Sequence, residues 1–96
     1  MGMIWARSAT RHEISPERSG YVIDQSRTFS KVPAPSNSPP GLNVPRRLYL
    51  GDDEDGIALE VMAIELESGD LLVIHAMEMA EKHRERYLEL KKWKDT

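Results

Sequence analysis

Glu60 and His75 are the two side chains of this 96-residue chain best suited to moving a proton. If residues 57–67 and 71–76 form a hairpin about Ser68-Gly69, Met62 faces His75 and Glu60 sits one diagonal step away on the same face. A carboxylate beside an imidazole orients it and makes a general acid–base pair. The competing reading is a hydrogen-bonded polar pair at the sheet's edge, or His75 buried neutral under a helix. Arg46, Arg47, Lys82, Arg84 and Arg86 are candidates for gripping phosphate, because guanidinium groups match phosphate oxygens bidentately. His83 falls inside an apolar helical stripe and reads as a core or boundary histidine. His12, just ahead of a helix start, points to no chemistry.

Other catalytic patterns fail on their spacing. His12-Glu13 opens a zinc-protease motif, but Pro16 occupies the place of its second histidine. Asp53, Asp55 and Gly56 imitate a calcium loop, yet Gly51 and Met62 stand where two of its ligands belong. There is no cysteine, no Gly-rich phosphate loop and no nucleophile elbow. Thiol catalysis and Cys-ligated metals are thereby excluded, and neither a metal nor a cofactor is expected.

The net charge of −3 hides a strong pattern. Residues 1–50 carry +4, residues 51–78 carry −9 with no Lys or Arg, and residues 79–96 carry +2. Two basic segments around an acidic middle permit a local positive surface for nucleic acid, whose affinity comes from neutralised phosphates. No apolar run approaches the ~20 residues a membrane helix needs, so no membrane partner is expected. The N-terminal residues lack the basic flank and apolar stretch of an export signal, and a cytoplasmic address is expected.

Positioning these groups requires one small domain spanning residues 1–96. Residues 3–12 read as a short helix or an initial strand, with the helix favoured. Ser15-Pro16-Glu17 is a helix start, with Ser15 as N-cap and Pro16 at the first helical position, and the helix should end near Gln25. Residues 27–45, holding five of the six prolines, read as a connecting loop. Strands follow at Arg46–Leu50, Ile57–Glu67 and Leu71–Ala76, the last two joined by a two-residue turn at Ser68-Gly69. That turn puts Leu71 and Val73 on the face of Glu60, Met62 and His75, and Leu72 and Ile74 on the other; a one-residue error would exchange them. From Met79 to about Lys94, a stripe of Met79, Ala80, His83, Tyr87 and Leu90 marks the final helix, with Leu88 facing away.

The order "HEISPERSGYVID", "RRLYLG", "IALEVMAIELESGDLLVIHAM" and "EKHRERYLEL" resembles the BrnT-type toxins of the RelE/ParE-like superfamily. The likeness spans roughly residues 5–90 and is closest from Arg47 to Tyr87. It implies an α+β fold: a three- or four-stranded antiparallel sheet packed by two N-terminal helical segments and a C-terminal helix, RelE-like. It also implies a metal-independent endoribonuclease of a bacterial toxin–antitoxin pair, acting on RNA and neutralised by a DNA-binding antitoxin. By that resemblance Lys82, Arg86 and Tyr87 join Glu60 and His75 as catalytic residues, and Arg47 and Arg84 bind RNA; Arg46 joins these two as a phosphate-gripping candidate by its residue type. The chain departs from the family after Ile74, where a small residue and two arginines give way to His75-Ala76-Met77-Glu78. Two cations are lost, and His75 stands where it can take over acid–base duty. The alternative is a non-catalytic RelE-fold module that binds a partner protein through an apolar sheet face.

Overall fold

Alternating apolar side chains in the second half of the chain build the centre of the sheet. The computed structural model describes residues 2–26 and 28–94. Its strands are β1 (Met3–Trp5), β2 (Ser30–Val32), β3 (Arg46–Asp52), β4 (Ala58–Glu65) and β5 (Leu71–Glu78), and its helices α1 (Pro16–Gln25) and α2 (Arg84–Lys94). The strand order is β1-β5-β4-β3-β2. β1 runs parallel to β5 and the other three pairings are antiparallel. The α+β class therefore holds, but the sheet is five-stranded and mixed. The three- or four-stranded antiparallel RelE-like sheet is not what forms.

Both added strands come from segments whose letters hide them. Residues 3–12 are not a helix: Met3–Trp5 pairs with Leu71–Val73, and a short 3₁₀ turn spans Arg7–Thr10. Met3 and Trp5 turn inward while Ile4 is exposed, which is the two-residue period of a strand. Trp5 is fixed by its indole N–H, which donates to Ser19 Oγ at 2.9 Å. The expected loop over 27–45 contains β2, so residues 28–29 and 33–45 connect without regular structure; Arg27 lies outside the described residues.

α1 forms as its start signals require. Ser15 Oγ accepts the Arg18 backbone N–H at 3.3 Å, Pro16 takes the first position, and the helix ends at Gln25. Its inner face, Val22 and Ile23, packs with Ala9 and Ile14 on Tyr49, Leu59, Val61, Ala63, Leu71, Val73 and Ala76.

The β4–β5 hairpin corrects the expected register. Leu66 N–H donates to Asp70 C=O and Gly69 N–H to Leu66 C=O, both at 2.9 Å, so three residues form the loop rather than two. Gly69 supplies the left-handed conformation, φ 90°, that such a loop demands. Glu65 then faces Leu71 and Ala63 faces Val73, which moves Leu71 and Val73 to the helix-covered face, where both are fully buried. Between Met62 and Ala63 the ladder shifts by one residue, Ile74 bulges out, and Met62 still faces His75. The longer turn and the bulge cancel, so the pairing at His75 survives a wrong turn.

The opposite face is covered as well. Leu48, Leu50 and Ile64 are each at most 6% exposed. Met62, Leu72 and Met77 on the same face are half-buried. The exposed large hydrophobics, Ile4, Val44, Ile57 and Leu88, lie on separate segments.

Candidate functional site

Glu60 sits in mid-strand on β4, opposite Leu50 on one side and Met77 on the other. Its side chain is only 4% exposed. A carboxylate there is costly unless its oxygens are bonded, and both are engaged. Oε1 accepts the Ala80 backbone N–H at 2.8 Å, and Oε2 lies 3.0 Å from His75 Nε2. A carboxylate only accepts, so the imidazole N–H donates through Nε2. His75 is 27% exposed, which leaves this ring in reach of solvent. The diagonal Glu60–His75 pair expected from the ladder is thus present.

The segment after β5 completes the surroundings. Met79 N–H donates to Ala58 C=O at 3.0 Å, extending the ladder, and a 3₁₀ turn over Glu81–His83 follows. That turn brings His83 Nε2 to 3.8 Å from Glu60 Oε2, too far for a hydrogen bond. This buried nitrogen has no hydrogen-bond partner among the described residues. His83 is accordingly a boundary histidine flanking a carboxylate. A fourth group arrives from the N-terminal segment: the His12 and His75 rings meet edge to face, 5.8 Å between centroids. Among the described residues, no three His, Cys, Asp or Glu side chains are grouped to hold a metal ion.

The cations do not converge as expected. Arg47 lies on the other face of the sheet from His75, because Leu48, not Arg47, aligns with Met62 and His75. There its guanidinium pairs with Glu65 at 2.9 Å and covers the Phe29 ring at 4.3 Å. Arg46 shares the face of His75 but is two strands removed, roughly 10 Å across the sheet. Its Nη2 is turned to Ser38 Oγ and the Leu42 C=O. Neither arginine is placed to bind RNA at His75. Lys82 and Arg84 flank His83 in sequence and are exposed.

Arg86 and Tyr87 belong to a different place. They line a cleft of about 760 Å³ between α1, the end of β3 and α2, together with Tyr21, Gln25, Asp52 and Lys91. Tyr87 donates its hydroxyl to Asp52, and Lys91 Nζ lies 3.4 Å from that hydroxyl and 3.6 Å from Asp52 Oδ2. Burial, with the Asp52 hydrogen bond second, raises the Tyr87 pKa, so this phenol stays protonated and acts as a donor. The Tyr87 hydroxyl holds the Lys91 pKa up as well. The cleft does not include Glu60 or His75, and Arg86 and Tyr87 are not brought into the histidine site.

The acidic turn after β3 has a structural occupation. Asp53 Oδ1 accepts the N–H groups of Asp55 and Ile57, both at 2.9 Å, while Oδ2 meets Arg18 Nε at 2.8 Å. The Ile57 N–H above all, with Arg18 and Asp55 contributing, holds the Asp53 pKa below the usual carboxylate value. This ties the start of α1 to the β3–β4 turn.

His12 is the group that sequence reading missed. Nothing local signals it, because its position depends on β1 pairing with a strand almost seventy residues away. For His83 there was a signal, an imidazole inside an apolar stripe, without an indication that Glu60 lay opposite. Comparison with family models, with curated proteins and with solved structures finds no match for this chain. Fold and site define a small α+β protein bearing a carboxylate-oriented histidine with a second imidazole beside it. No helix among the described residues is long and apolar enough to cross a membrane.

Proposed function

We propose that this chain is a cytoplasmic endoribonuclease of the toxin class, partnered by a DNA-binding antitoxin, with His75 as its proton-transfer group and Glu60 orienting it. The observation that carries the reading is the Glu60–His75 contact of 3.0 Å: a nearly sealed carboxylate holds a ring that still reaches solvent. General acid–base groups of this kind contribute about 10²–10⁴-fold to rate. RNA carries its own nucleophile, the 2′-OH, so removal of one proton starts the cleavage. Lys82 and Arg84 are the cations best placed by sequence and exposure to offset charge on the phosphorus. The resemblance to BrnT-type toxins supports the substrate and the antitoxin, and it rests on residues rather than on the sheet.

The test is cleavage of a mixed-sequence RNA by the purified protein, alone and in a translating extract, beside growth on induced expression. His75→Ala should lower cleavage by about 10²-fold or more and relieve growth arrest. An inert wild type in both assays, or a His75→Ala variant as active as the wild type, would overturn the proposal.

The cleft between α1 and α2 favours a second reading, a non-catalytic module that takes a partner protein there instead of on a sheet face. It predicts that substitutions at Tyr87 or Leu90 abolish partner binding while those at His75 do not.

A further inference from the structure

His12 is held beside His75 by several anchors that have no need of its side chain. Ala6 N–H donates to Val73 C=O at 2.8 Å, and Ser8 Oγ donates to the carbonyl of the bulged Ile74 at 2.6 Å. Ala9 before it is fully buried and Ile14 after it is 3% exposed, so the intervening residues are pinned at both ends. Glu13 adopts a left-handed φ of 63°, an unfavourable backbone state for a residue with a Cβ. The His12 side chain is exposed, yet its ring abuts His75. Core packing does not account for an exposed ring at the end of so constrained a path.

We propose that His12 is a second catalytic residue, the acid to the base supplied by His75, so that the pair works on the two sides of one phosphodiester. This rests on the ribonuclease reading above. Acid and base must each come within about 3 Å of an oxygen on the same phosphorus, which requires neighbouring rings. The centroid spacing of 5.8 Å meets that requirement. His75 Nδ1, left free by the bond from Nε2 to Glu60, takes the proton of the 2′-OH as O2′ bonds to phosphorus. The P–O5′ bond then breaks, its electron pair stays on O5′, and the His12 imidazolium supplies the proton. The products are a 2′,3′-cyclic phosphate and a 5′-hydroxyl, and both rings end with exchanged protonation that solvent restores. Ionisable groups on the surrounding segments are Glu60 and Glu65 of β4, Glu78 of β5, Glu81, Lys82, His83 and Arg84 after β5, and Arg7, Arg11 and Glu13 beside His12.

The experiment measures cleavage of a mixed-sequence ribo-oligonucleotide by the full chain across pH 5–9, with end-group analysis of the products. His12→Ala should fold with an unchanged melting temperature and cleave about 10²-fold more slowly, losing one limb of a bell-shaped profile. Added imidazole should restore part of the activity of His12→Gly. If the wild type cleaves and His12→Ala matches it in rate and pH profile, the role of His12 is overturned and the ribonuclease reading stands. A slow His12→Ala whose profile keeps both limbs, beside a His12→Gly that imidazole does not rescue, also overturns it. A wild type that cleaves nothing overturns both readings.

Discussion

At the scale of single residues, Glu60 joins β4 to β5 and to the segment that follows it. Replacing it by Leu would leave the Ala80 N–H without its acceptor and free the His75 ring. A lost buried partner of this kind costs about 1–3 kcal/mol, read as a lower midpoint in urea unfolding. Glu60→Gln keeps an acceptor for Ala80 and should be milder in stability than in RNA cleavage. Asp53 gives a pH dependence whose sign is set by its lowered pKa. Its contribution to stability is complete above the ordinary carboxylate value and is lost as pH falls through the depressed folded value. Acid unfolding of the wild type should therefore steepen below about pH 4, and Asp53→Asn should be less stable at pH 7 with a flatter acid limb.

At the scale of elements, the sequence announced what local physics controls. Ser15, Pro16 and Glu17 start α1 through a cap, a fixed φ and a dipole preference, and the structure follows them. The Met62–His75 pairing and the exposure of Leu88 were also legible. β1 was legible only as the less favoured alternative to a helix and β2 not at all, because three-residue strands carry too few letters to show a period, and partners distant in sequence create them. The turn was misread because Ser-Gly suits two-residue and three-residue loops alike. Gly69→Val should cost about 1 kcal/mol or more, since its left-handed φ excludes a β-branched side chain. α2 is attached differently, through Tyr87 to Asp52. Tyr87→Phe removes that bond from a partly buried site, with a loss of about 1 kcal/mol in thermal unfolding and no loss of RNA cleavage.

At the scale of the whole molecule, the cations fall into two groups. Arg47 is engaged with Glu65 and Phe29 on the face away from His75, whereas Arg7, Arg11, Lys82 and Arg84 belong to the segments that carry the histidines or adjoin them. RNA affinity should weaken as salt rises, and Lys82→Ala or Arg11→Ala should flatten that response by about one unit of slope each. Arg47→Ala should leave the salt response unchanged and shift stability by no more than about 1 kcal/mol. A filter-binding titration over several salt concentrations reads all of these. The bulge at Ile74 has a consequence for how the molecule could be shortened. Excising that one amino acid would leave Val73 and His75 as direct neighbours, each still across from its present partner on β4. An uninterrupted hairpin would result with the carboxylate–imidazole couple intact, but the carbonyl that moors the amino-terminal arm through Ser8 would be gone. Deleting Ile74 thus removes one of the ties that hold His12 beside a site otherwise preserved, while the Ala6 N–H bond to Val73 and the burial of Ala9 remain.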